Sequence, residues 1–203
     1  LNRNNADDAN EVNVTTSDTT IAATLINSID GLTEGTVNAS SVTTITGTHT
    51  TVGTALTANA NGTISGLDAV NVTLDNPATG AGVTDTFTAQ QVRGVTLSTT
   101  GIVTANVAED GIDVLLHAQT GLKSTETGHA LTISVTGNTS GAQINTLDSI
   151  TTLPVTVKSA AVNGTAADIA AAVTSQGVNL LDTVNFQVSS GNATVAQANI
   201  LTG

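Results

Sequence analysis

The chain has 203 residues, 39% of them apolar, and sixteen acidic against four basic residues give it a net charge of −12. Phosphate backbones and anionic membrane surfaces are bound by clustered Lys and Arg, so nucleic acid and acidic membranes are excluded as partners. Cys, Trp and Tyr are absent and Phe87 and Phe186 are the only aromatics, which excludes a disulfide framework, thiol chemistry and the aromatic platforms of sugar-processing enzymes.

No apolar run approaches the roughly 18 residues of a membrane span, so no membrane insertion is expected. The chain also lacks Met, so it reads as a processed product or a piece of a larger one.

In chain order, residues 1–11 form a polar arm that carries Arg3. A repeat then begins. Val12-Asn13-Val14-Thr15 returns as Val70-Asn71-Val72-Thr73, as Leu131-Thr132-Ile133-Ser134, and as Val184-Asn185-Phe186-Gln187, a period of roughly 58 residues. Thr36-Val37, Gly94-Val95 and Pro154-Val155 form a second signature, each opening a strand-like run. The repeats fall near 12–69, 70–130 and 131–183, with a half-repeat at 184–203.

Each repeat splits into two half-units of about 29 residues, each a short strand followed by a helix. The first opens with a strand over Val12–Thr15. The N-cap residues Ser17, Asp18, Thr19 and Thr20 follow, and Ile21 to Ile29 carries the stripe of a short amphipathic helix stopped by Gly31. The second begins with Thr36-Val37-Asn38-Ala39, continues with a strand over Val42–Thr46, and has a helix with Val52, Ala55 and Leu56 on one face. In the middle repeat the helix is expected over Val107–Ala118, closed by Gly121. In the third, Thr165 caps a helix over Ala166–Val173, and the last half-unit closes with a helix over Thr194–Leu201. Strands and short helices alternating at this spacing predict an α/β repeat fold. We read residues 12–203 as one parallel β/α solenoid of about seven half-units, like a leucine-rich repeat. An all-β solenoid or sandwich is the alternative, disfavoured by the Ala-rich helical runs.

The strings Ser17-Asp18-Thr19-Thr20-Ile21-Ala22-Ala23-Thr24-Leu25, Gly35 to Gly47 and Ile64 to Leu74 resemble the tandem repeats of giant, acidic cell-surface proteins of marine cyanobacteria, among them a swimming-motility type. The similarity covers 12–74 well, 155–190 fairly and 75–154 poorly. It implies an extracellular, non-enzymatic surface or fibre role, with no catalytic residues to carry over.

Asn13, Asn71 and Asn185 share one repeat position, with Thr132 in the remaining copy, and stacked copies would form an Asn/Thr ladder with each amide bonding the next coil. Seven Asn-x-Ser/Thr sequons, at Asn13, Asn38, Asn61, Asn71, Asn138, Asn163 and Asn192, follow from an Asn- and Thr-rich composition and are not read as glycosylation sites. Glu109, Asp110 and Asp113 form the densest acidic cluster outside the arm, where Asp7, Asp8 and Glu11 make a second. Calcium is the cation such oxygen ligands would take; no other cofactor is expected, and the first turn of a helix is the competing role for Glu109 and Asp110. His49, His117 and His129 lie in different half-units and form no catalytic constellation. Thr-x-Thr pairs fall at varying places in the repeat, which argues against an ice-binding array.

The expected protein is therefore a secreted structural subunit of an extracellular fibre or surface layer, and not an enzyme. It would form a head-to-tail homopolymer through Arg3, Val12 and Val14 at one end and Val184 and Phe186 at the other. The alternative is an adhesin-type segment of a giant surface protein that presents one face to a cell-surface glycan.

Overall fold

A computed structural model describes residues 11–75, 85–181 and 184–202. The fold is α/β, with fourteen short strands and seven helices among these residues. It divides into two compact units, residues 1–85 with 94–104, and residues 86–93 with 105–203.

In the first unit the chain makes two strands and then a helix, and repeats this. β1 (Val14–Thr15), β2 (Thr20–Ala22) and α1 (Ala23–Asp30) are followed by β3 (Val37–Asn38), β4 (Thr44–Gly47) and α2 (His49–Asn61), then by β5 (Ile64–Ser65) and β6 (Asn71–Leu74). First strands pair with first strands in the order β1-β3-β5, with Val14 opposite Val37 and Val37 opposite Ile64. Second strands pair with second strands, Ile21 opposite Ile45 and Ile45 opposite Val72. All these pairs are parallel, as crossovers through a helix require. β6 also pairs on its other side with the start of β7 (Val103–Asn106), Val72 opposite Val103.

Ile21, Ile26, Ile45, Ile64 and Leu67 fill the interior of this unit. β-Branched and small side chains suit a layer this thin, where an aromatic ring would need more depth. α2 starts at the Thr48 side chain, which accepts from the N–H of Thr51, and ends at Gly62. Gly62 has φ +86°, the left-handed conformation that glycine adopts without strain.

The second unit holds the end of β7, β8 (Asp110–Gly111), α4 (Ile112–Leu115), β9 (Ala130–Thr136), β10 (Thr139–Ser140), α5 (Gly141–Ile150), β11 (Val155–Val157), β12 (Ala161–Thr165), α6 (Ala166–Thr174), β13 (Val178–Leu180), β14 (Asn185–Ser190) and α7 (Val195–Thr202). α3 (Ala89–Thr96) is divided between the two units, as β7 is. The same segment of two strands and a helix recurs. First strands pair as β9-β11-β13, with Ile133, Val155 and Val178 in register. Second strands pair as β10-β12-β14, with Thr139, Val162 and Phe186 in register. Leu115, Leu131, Ile133, Ile144, Leu147 and Ile169 are fully buried here.

Four sequence expectations need correction. Each segment carries two strands, not one, so Val14 and Val72 lie in different sheets of the first unit and do not stack. Thr20 belongs to β2 and caps nothing, because Ile21 pairs with Ile45 before the helix begins; α1 follows Ala22 with no side-chain cap. Gly94-Val95 lies inside α3, where Thr88 and Gln91 each bond the other's main-chain N–H and start the helix. The expected helix over 107–118 shrinks to four residues. Val103, Ala105 and Val107 are buried alternately, the period of a strand, and Val107 bridges Phe87. The helices over 166–174 and 195–202 stand where expected, with Thr165 capping the first.

Candidate assembly surface

The Val-Asn copies share a local geometry that the period alone does not show. After α1, the Thr33 hydroxyl donates to the Val12 carbonyl at 2.5 Å and accepts from the Gly35 N–H at 2.9 Å. The Thr36 N–H then donates to Asn13 Oδ1 at 2.8 Å, and Val14 N–H to the Thr36 carbonyl at 3.1 Å. After α3 the same bonds recur. Thr99 donates to the Val70 carbonyl at 2.7 Å, Gly101 to Thr99 at 3.0 Å, and Ile102 to Asn71 Oδ1 at 2.9 Å. After α5, Thr151 donates to the Leu131 carbonyl at 2.7 Å and accepts from Leu153 at 3.1 Å. Each asparagine thus satisfies a main-chain donor of the following strand, and the side chains do not bond one another as the expected ladder would.

The glycines of the two asparagine copies are sterically required. A Cβ on Gly35 would stand 2.6 Å from the Val12 carbonyl carbon, and one on Gly101 would meet the Val70 carbonyl.

A second recurrence ties the helices. Asn27, fifth residue of α1, donates through Nδ2 to the carbonyl of Thr51, third residue of α2, at 2.9 Å. Asn145, fifth residue of α5, donates to the carbonyl of Asp168, third residue of α6, at 3.1 Å. Arg93, fifth residue of α3, donates through Nη1 to the Gln119 carbonyl at 2.9 Å.

The residues singled out for metal binding do not converge. Glu109 pairs with Lys158. Asp110 Oδ1 accepts from the adjacent Gly111 N–H, and Asp113 lies exposed in the first turn of α4. Asp7 and Asp8 lie outside the described residues, and Glu11 is exposed. Among the described residues no group of three or more His, Cys, Asp or Glu side chains could hold an ion. The three histidines stay apart in their bonding. His49 approaches Thr50, and His117 approaches Thr120. His129 is buried, and loss of solvent pushes its pKa below the ordinary value, against the opposing charge of Glu126.

The expected assembly residues divide. Arg3 lies outside the described residues. Val12 is 58% exposed, and Val14 is half-buried in β1, the edge of its sheet. Val184 and Phe186 are half-buried, and Phe186 pairs with Val162 in β14, the edge of its own sheet. Sequence reasoning missed the strongly exposed apolar residues beside them, Val188 and Val195 in the last segment and Leu25 in α1. Alternation along 184–188 would have pointed to Val188.

Among the described residues no helix is long and apolar enough to cross a membrane. Comparison with protein-family models, with curated proteins and with solved structures gives no match to this chain.

Proposed function

We propose that the chain is a secreted structural protein, a parallel β/α solenoid that joins end to end into an extracellular fibre or surface layer. The observation that carries this reading is the open edge of the last segment. Among the described residues β14 has a strand on one side only, and Val188 and Val195 are 45% and 79% exposed. An unpaired strand with exposed apolar neighbours is a template for another strand. The first segment offers a matching edge in β1 and β2, with Val12 and Leu25 exposed. Two unlike edges on one chain form a contact that propagates unless it closes into a ring. The resemblance of residues 12–74 to repeats of cell-surface proteins points the same way, as does the acidic, cysteine-free composition.

The test is sedimentation and negative-stain microscopy over a range of concentrations. The chain should form filaments or sheets without an added partner. Val188→Lys with Val195→Lys, or removal of residues 1–11, should give folded monomers. A chain that stays monomeric at high concentration would defeat the reading.

A further inference from the structure

Two side chains of the last segment match residues that elsewhere bond the following segment, and among the described residues neither makes that bond. Asn185 sits in Val184-Asn185-Phe186-Gln187, the last Val-Asn copy. Its Nδ2 reaches the Ala160 carbonyl at 3.5 Å, but its Oδ1 receives no N–H among the described residues, unlike Asn13 and Asn71. Asn199 is the fifth residue of α7, the place of Asn27 and Asn145 in their helices. It is exposed, with no carbonyl to donate to among the described residues.

The geometry points to these two asparagines as the register-setting contacts for β2 and α1 of a second copy of this chain. This rests on the end-to-end reading above and names the surface and its alignment. Three observations select that occupant. The first is main-chain direction. Along a parallel strand, successive residues turn their N–H and carbonyl alternately to the two sides. The Thr19 carbonyl accepts from Thr43 and Thr44 of the β4 side, so Thr20 and Ala22 turn theirs to the open side. The Asn185 N–H donates to Ala160 on the β12 side, so Phe186 and Val188 turn theirs to the open side of β14. With Ile21 of the second copy opposite Phe186, the Thr20 N–H of that copy meets Asn185 Oδ1, as Thr36 meets Asn13.

The second observation is helix spacing. β2 runs straight into α1, as β12 runs into α6, so pairing at β2 brings α1 beside α7. Asn199 then faces the carbonyl of Leu25 of the second copy, third residue of α1, as Asn145 faces Asp168. The third is apolar exposure on both faces. Leu25 is 51% exposed, and Val188 and Val195 on the other face are exposed as well. In this alignment Thr19 of the second copy takes the place of Gly35 and Gly101, a place that Leu153 holds in the copy without the asparagine.

The test uses variants of the 203-residue chain whose folding is checked by circular dichroism. Asn185→Ala and Asn199→Ala should each weaken self-association about five- to tenfold, the range of one lost neutral hydrogen bond. Thr20→Pro removes an N–H that the fold leaves to the open side, so the monomer should fold and fail to polymerise. The Thr20→Pro chain keeps its β14 surface, and the chain with Asn185→Ala and Asn199→Ala keeps its β2 surface. Mixed together, the two should give one-to-one dimers that stop there. If the wild-type chain polymerises and these variants polymerise equally well, this alignment is overturned and end-to-end assembly stands. If mixing restores no dimer, the alignment is overturned too. A wild-type chain that never associates removes both.

Discussion

Pro154 lies beside Thr132, one residue before the Val155–Ile133 pair, and neither supplies what Thr36 and Asn13 exchange. Proline has no N–H to donate, and threonine offers no amide oxygen to receive one. Donor and acceptor have been lost together, so no main-chain group is left unsatisfied at that step. Elsewhere the asparagine has a defined task, and its removal strands a donor.

Asn71→Ala should therefore destabilise the fold by about 0.5–1.5 kcal/mol, because the Ile102 N–H loses its acceptor. Thr132→Asn should bring no comparable gain, since Pro154 has nothing to donate. Urea titration of both variants checks the pair.

Gly101→Ala and Gly53→Ala should move stability in opposite directions. A Cβ at Gly101 would meet the Val70 carbonyl, and we expect a loss of about 1–3 kcal/mol, the cost of overpacking. Gly53 lies within α2 and has nothing within 4 Å of a built Cβ, so alanine there should stabilise by roughly 0.5–1 kcal/mol. Chemical denaturation reads both.

Ser140→Ala removes half of a reciprocal cap. The Ser140 hydroxyl accepts from the Gln143 N–H at 3.2 Å, while Gln143 Oε1 accepts from the Ser140 N–H at 3.0 Å. The loss should be about 1 kcal/mol, and Gln143→Ala should add little on top because the two bonds form one unit.

These helix starts show how much of the fold was legible in the sequence. Thr165, followed by an Ala-rich run, marks its helix within a residue at each end, because cap and apolar stripe are both local signals. β5 is two residues long, too short for alternation to register, and β2 runs straight into α1, so its residues read as the first turn of that helix. The period of about 58 residues is real at the level of the Asn13 and Asn71 bonds, yet it spans two segments and misplaces the sheets. Glu109 was open to a metal or helix-dipole reading because its partner Lys158 is 49 residues away. The open faces of Asn185 and Asn199 need coordinates, since what marks them is the lack of a bond their counterparts make.

His129 should make stability depend on pH. Burial lowers its pKa in the folded chain below the ordinary value of 6.5, so the unfolded chain binds the proton more tightly. Stability should be full above about 6.5 and fall as pH drops from there toward the lowered value. His129→Gln should flatten this slope in thermal melts between pH 5 and 8. Equal slopes in both proteins would locate the dependence elsewhere.

The pairing pattern also sets how the protein meets force. Within each unit the strands bond their counterparts in the preceding and following segments, as β1-β3-β5 and β9-β11-β13 do. Tension applied across the strands loads these ladders one after another, so a unit under such a pull opens by unzipping, segment by segment, at low force. Tension along the strands loads every bond of a ladder at once, in shear, and meets far higher resistance. Each unit is therefore mechanically anisotropic, compliant in the direction in which its segments succeed one another and stiff at right angles to it.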